Sequence, residues 1–201
     1  MDEIGEFCAR MLGDRALARR AADGAEQTGR DRMQALAAAV AACRQSSDQA
    51  TIPTTDGEGD AEHGLVGAVA AEMAQATARL PQRQREVLAL RETLGLGYDD
   101  IGRLIGIEPA AVAALLARAR LRLRSELRGT PLPAGGCQER DRALRTIARR
   151  RDGEEVLDTD EEWLLDHLGH CSGCAQAHSA MLEASACYRA WQLPEAAATS
   201  Q

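Results

Sequence analysis

The chain has 201 residues, carries a net charge of −7, and contains two Trp, two Tyr and one Phe. No run of 18 apolar residues is present, which excludes a membrane-spanning helix. The start, Met1 to Glu6, is acidic where a secretory signal is basic, so a cytoplasmic location is expected. With few strand formers and abundant alanine, the composition predicts an all-α protein.

Charge is distributed unevenly. Residues 1–79 hold eight Arg against thirteen acids, residues 80–128 nine against six, and residues 129–201 seven against twelve. Only the middle segment is basic, as a DNA-facing module is. Every cation is an arginine; the chain has no lysine, which base composition of the genome accounts for.

Taken in chain order, residues 1–44 read as two or three short helices, with Phe7, Met11, Leu12, Met33, Leu36, Ala39, Val40 and Cys43 at helical spacing. Residues 45–63 are polar, rich in Gly and Asp and without periodicity, the composition of a linker. A helix is predicted over 64–79, with Leu65, Val66, Val69 and Met73 on one side.

Pro81 suits the first turn of the next helix, which carries Val87, Leu90 and Leu94 on one stripe and ends at Gly95 and Gly97. Asp99 and Asp100 open another helix, favoured by its dipole, with Ile101, Leu104 and Ile105 inward and Gly106 at the turn. Pro109 begins a helix over 110–127 with Val112, Leu116, Ala119 and Leu123 inward. These last two helices, joined by the glycine turn, form a helix-turn-helix outline within a domain expected over 64–128.

Residues 129–136 read as a second linker. A helix starts near Cys137, carries Leu144 and Ile147, and breaks at Asp152-Gly153; the run Arg149 to Arg151 reads as a solvated helix end. Thr159 or Asp160 can cap the next helix, and a last helix runs from about Cys174 to Trp191. Trp163 and Trp191 read as core anchors, and residues 193–201 as a tail.

Chemistry concentrates in His167-x3-Cys171-x2-Cys174, with Cys137 upstream. On a helix His167 and Cys171 lie one turn apart on one face, and the Cys-x2-Cys turn returns Cys174 beside them. Zinc takes four N or S ligands tetrahedrally, and Cys137 is the natural fourth; in a reducing compartment such cysteines are ligands or redox sensors. Two other readings stand beside it: Cys171, Cys174 and His178 as the set, with His170 adjoining, or thiols that are simply small buried apolar groups. Cys8, Cys43 and Cys187 read as core thiols. Oxidation joining Cys137 to Cys171 or Cys174 would expel the ion. No phosphate-binding glycine loop, Ser/His/Asp arrangement or open three-ligand metal site is evident, so no enzyme is expected.

Residues 80–127 carry Leu80-Pro81, Arg85 to Leu88, Leu90-Arg91, Tyr98, Ile101-Gly102, Ile105-Gly106, Val112, Arg118 to Arg120 and Leu123, in an order that resembles region 4 of extracytoplasmic-function (ECF) sigma factors. Residues 137–191 resemble the zinc-binding anti-sigma domain of the same regulatory system. The resemblance implies a winged-helix-like or helix-turn-helix region 4 domain between a short N-terminal helical domain and a C-terminal zinc-binding helical domain (137–192). It implies zinc on Cys137, His167, Cys171 and Cys174, and thiol sensing. It further implies promoter DNA and the bacterial RNA polymerase core as partners, with Ile101 to Leu123 toward DNA and Leu80 to Leu90 toward polymerase, and contact between the zinc domain and the helix-turn-helix.

Two departures from the family pattern bear on mechanism. Residues 1–44 resemble a shortened region 2 whose sole aromatic is Phe7, without the aromatic and basic residues that capture unstacked bases. Where the family presents Thr, Lys, Ser and Arg, this chain has Ala111, Ala113, Ala114 and Leu115, none of which hydrogen-bonds a base edge. Arg118, Arg120, Arg122 and Arg124 remain for phosphate, predicting backbone-dominated, salt-sensitive binding. Against this, Ala111, Ala114 and Leu115 also suit an apolar packing patch. An adaptor or anti-sigma-type regulator binding polymerase or a partner sigma factor through protein contacts is the alternative function.

Overall fold

A computed structural model describes residues 2–47, 61–131 and 136–191, with only the backbone described at 47 and 61–66. The described residues are helical, without a strand and therefore without the wing that the family resemblance allowed. Most of the expected linker at 45–63, part of that at 129–136, and the tail at 193–201 lie outside the described residues, as do the side chains of Leu65 and Val66.

The chain divides into two compact units, residues 1–79 with 190–201, and Leu80–Arg189. In the first, α1 (Glu3–Leu12), α2 (Arg15–Thr28) and α3 (Arg32–Ser47) pack pairwise on one another. Local signals set these helices: the Asp2 carboxylate accepts from Gly5 N–H at 2.6 Å, and that of Asp14 from Ala16 and Leu17 N–H at 2.7 and 2.9 Å. Phe7, Cys8, Leu36, Val40 and Cys43 fill the interior. Trp191 is buried in this unit, where its carbonyl accepts from Arg10 Nη2 at 2.6 Å. α4 (Ala61–Ala78) buries Ala70, Met73 and Thr77. Val69, expected beside Met73, is 55% exposed, because the buried stripe runs one residue further along.

In the second unit α5 (Gln82–Glu92), α6 (Tyr98–Ile105) and α7 (Pro109–Arg128) form a trihelical cluster around Val87, Leu90, Ile101, Ile105, Val112, Leu116 and Leu123. The turn between α6 and α7 depends on two glycines. Gly106 caps α6 in the left-handed region at φ 70°, and a Cβ on Gly102 would meet the Ile107 carbonyl oxygen at 2.6 Å. Both are therefore required for the helix-turn-helix corner.

Three further helices complete this unit: α8 (Arg140–Arg151), α9 (Asp158–His170) and α10 (Ser172–Ala190). α8 packs on both α7 and α9. The helix-turn-helix and the C-terminal helices thus share one compact body. α9 starts at Asp158 with no side-chain cap; Thr159 and Asp160 lie inside it, and Asp160 instead accepts from Arg142 Nη2 at 2.6 Å. Arg149 to Arg151 fill the last turn of α8 as expected, but only in part as a solvated end: Arg149 Nε donates to the Glu155 carbonyl at 2.8 Å, the exposed Arg150 pairs with Glu161 at 2.8 Å, and Arg151 is largely buried against Asp152. No helix among the described residues is long and apolar enough to cross a membrane.

Candidate functional site

Cys137, His167, Cys171 and Cys174 present their ligand atoms within 4.8 Å of one another. Cys137 Sγ lies 3.5 Å from His167 Nε2. Cys137 sits one turn before α8, whose Arg140 N–H donates to its carbonyl at 3.3 Å. His167 is in the last turn of α9, and Cys174 in the first turn of α10. Cys171 is the joint between the two helices, extended at φ −115°, ψ 95°. Its N–H donates to the His167 carbonyl at 2.8 Å, and its own carbonyl accepts from Ala175 N–H at 3.0 Å. One residue thereby ends α9 and starts α10, which brings His167 from one side of the corner and Cys174 from the other to the same point.

The donor set is one imidazole and three thiols, a chemistry that can hold a metal ion. Two sulfurs each about 2.3 Å from a tetrahedral ion stand roughly 3.8 Å apart, so atoms within 4.8 Å of one another need shift by no more than about 1 Å to share one ion. The Cys174 N–H, followed by hydrogen bonds from the neighbouring thiols, holds the Cys171 thiol below its ordinary value. Burial, and then the Cys171 and Cys137 sulfurs, push that of Cys174 up to about 12. Three thiolates this close repel one another, and a bound cation removes that penalty.

Of the alternative ligands, His178 lines a separate small cavity with Leu164, Leu168 and Leu182, and His170 is exposed with Nδ1 2.9 Å from the Asp166 carbonyl oxygen. Trp163, read as a core anchor, is only half-buried and stacks on His167 with ring centroids 4.9 Å apart. The Arg142 guanidinium covers it at 3.9 Å from the ring centroid. The four-residue spacing on α9 sets Trp163 one turn before His167 on the same face. Cys8 and Cys43 are buried, whereas Cys187 is half-buried.

The arginines of α7 fall in different environments. Arg118 and Arg122 are exposed, the latter 3.7 Å from Glu126. Arg124 is half-buried beside Glu183 at 3.5 Å, and Arg128 also pairs with Glu183. Arg120, expected on phosphate, is 0% exposed: its Nη1 and Nη2 donate to Asp152 at 2.9 and 2.8 Å, and its Nε to Glu92 at 2.9 Å. A guanidinium enclosed this way does not reach a DNA backbone. Tyr98 O–H donates to Asp152 at 2.7 Å, Ser185 O–H to Glu92 at 2.7 Å, and Arg91 to the Asp152 carbonyl.

Burial works against the charged form of Asp152, but Arg120, with Tyr98 and Arg91, outweighs it and holds its carboxyl below the usual range. For Tyr98, burial and then the Asp152 charge push the phenol well above its ordinary value. This network was not read from the sequence, where Asp152 looked like a helix breaker. Arg120 lies four residues beyond Leu116 and three beyond Ala117, within the buried sector of α7, and that spacing was the available signal.

The alanines of α7 also divide. Ala111 is exposed, Ala114 and Leu115 are half-buried, and Ala113 is 1% exposed. Ala113, Ala117 and Arg120 follow one another at i, i+4 and i+7, and α8 packs against this helix. Methyl-sized side chains permit that close approach.

Residues 70–123 match the protein family described as Sigma-70, region 4. A segment of 79 residues is 37% identical to the ECF RNA polymerase sigma factor ShbA of Streptomyces griseus subsp. griseus, covering 39% of this chain and 41% of that protein. The chain therefore spans about two fifths of that relative's length. No solved structure matches. The helix-turn-helix of α6 and α7 is thus a sigma region 4-type element.

Proposed function

We propose that this chain controls transcription initiation as an ECF-type sigma factor whose region 4 is held by a fused, zinc-binding, anti-sigma-like domain. The observation that carries the reading is the region 4 match over α5 to α7, with α8 laid on α7 and Asp152 holding Arg120. Promoter DNA and the RNA polymerase core are the partners, and the cytoplasm is the location. Three sulfurs and one nitrogen within 4.8 Å of one another support zinc over harder cations, which take oxygen ligands. Zinc there supplies a fixed corner between α9 and α10 and, with Cys137, ties the start of α8 to it.

In this reading the C-terminal helices mask region 4. Ala113 stands at a position where the family presents a DNA-reading side chain, and it is enclosed. Exposed Arg118 and Arg122 remain to meet phosphate, while Arg120 and Arg124 are engaged by Asp152 and Glu183. DNA contact by those two arginines requires the mask to shift. Thiol oxidation of the cluster is the input that such a mask would answer.

The same enclosure favours a second reading, an adaptor that binds polymerase or a partner sigma factor without initiating transcription. Retention of the full, zinc-loaded chain on core polymerase, followed by transcription from a promoter with a −35 element, separates them. Retention with transcription is expected, rising in Glu183→Gln, which releases Arg124 and Arg128 at a partly exposed pair without stranding a buried charge. Retention without transcription from either form favours the adaptor, and failure to bind core overturns the sigma-type reading.

A further inference from the structure

A groove of about 460 Å³ runs between the start of α7 and the face of α8. Arg142, Arg145 and Arg149 line it at i, i+3 and i+7, so three guanidiniums occupy one helix face. The opposite wall is Ala110 and Ala113 of α7, and the rim is formed by residues 155–160. Neither the metal cluster nor the Arg120 network uses this space.

The charges in the groove are unequally committed. Arg142 pairs with Asp160 at 2.6 Å, and Arg149 spends its Nε on the Glu155 carbonyl. Arg145 is exposed and has no ion-pair partner among the described residues. Asp160 and Glu155 are the acids that line the groove, leaving one guanidinium in excess. Two helices begin at this groove, α7 and α9, and neither N-cap, Glu108 or Leu157, makes a side-chain cap bond. Asp158, Asp160 and Glu161 in the first turn of α9 offset its dipole, whereas the first turn of α7 holds no acid and adds positive potential to that of the arginines. A planar guanidinium fork matches phosphate oxygens in bidentate geometry, and a 460 Å³ space lies within the range of small-ligand sites.

We propose that this groove binds a phosphoryl oxyanion, with Arg145 as its principal ligand and Arg142 and Arg149 as flanking ones. Two sources carry that group: a free phosphorylated small molecule, or the phosphodiester backbone of nucleic acid. Only the second source leans on the sigma-type reading; the first stands independently of it. Because α7 supplies only Ala110 and Ala113 to the wall, the bound anion is held by α8, beside the region 4 helix.

The test uses the full, metal-loaded chain in low-salt buffer, with pyrophosphate as one probe and a short DNA duplex as the other. Arg145→Gln is compared with Arg19→Gln, which removes an exposed arginine of α2 in the other unit. Calorimetric titration with pyrophosphate should show binding that Arg145→Gln weakens roughly tenfold while Arg19→Gln does not. Arg145→Lys, which restores the charge without the fork, should recover part of it. If the source is nucleic acid, the duplex affinity falls, and its slope against salt shrinks by about one phosphate contact in Arg145→Gln. Pyrophosphate binding with an unchanged duplex slope assigns a free phosphorylated ligand. Equal affinities of Arg145→Gln and Arg19→Gln for both probes overturn the proposal. Such a result leaves polymerase retention, and hence the sigma-type reading, untouched.

Discussion

At the scale of single residues, the ion network between α5, α7 and α8 is the most consequential feature. Arg120 and the Glu92 side chain are 0% and 2% exposed, so neither is solvated if its partner is lost. Asp152→Ala should destabilise the Leu80–Arg189 unit by about 3–5 kcal/mol, since it strands a buried guanidinium. Tyr98→Phe removes one hydrogen bond to the same carboxylate and should cost about 1–2 kcal/mol. Denaturant unfolding of both variants measures these values. The network also sets a pH dependence. Asp152 has a lowered pKa in the folded state, so its stabilisation is complete above the unfolded carboxylate value of about 3.9 and is lost as pH falls through the folded value. Unfolding free energy should therefore drop on acidification below about pH 4, and this component should vanish in Asp152→Asn.

At the scale of elements, the sequence makes most helices legible because their start and stop signals are local. Pro109 at the first turn of α7 and Gly106 after α6 are examples, and both boundaries fall within a residue of expectation. The juxtaposition of His167, Cys171 and Cys174 is legible for the same reason, being a matter of spacing across one corner. What escapes is which outward face of α7 is covered. Ala113 and Ala117 carry no periodic signal distinguishing them from Ala111, since alanine is at home buried or exposed. Tertiary packing by α8 decides it. Ala117→Glu should accordingly separate α8 from α7 and destabilise the unit by several kcal/mol, because a carboxylate replaces a methyl at 0% exposure. Ala111→Glu, at an exposed site, should stay within about 0.5 kcal/mol of the parent. Amide hydrogen exchange along α8 reports the difference directly.

At the scale of the whole molecule, two compact units predict two unfolding transitions, of which one responds to metal. Chelation should lower the melting temperature of the Leu80–Arg189 unit, helix-turn-helix included, and leave that of α1 to α3 unchanged. Purified protein should contain about one zinc per chain, and Cys171→Ser about none, by elemental analysis. The lack of a boundary between the helix-turn-helix and the C-terminal helices was not legible from composition, because residues 129–136 have the make-up of a linker. Loop composition describes the connection and is silent on whether the pieces it joins adhere. Here Arg120 with Asp152, and Arg124 and Arg128 with Glu183, supply the adhesion.

The single extended residue at Cys171 gives α10 the mechanics of a lever. Eleven residues separate Cys174 from Ser185, about 16 Å of rigid rod at 1.5 Å per residue. A pivot of ten degrees at the corner would swing Ser185 by roughly 3 Å, comparable to the full length of its bond to Glu92. Loss of an ion held by the cluster would therefore be felt at the far end as a strained contact between Ser185 and Glu92 of α5, without any part of α10 having to melt.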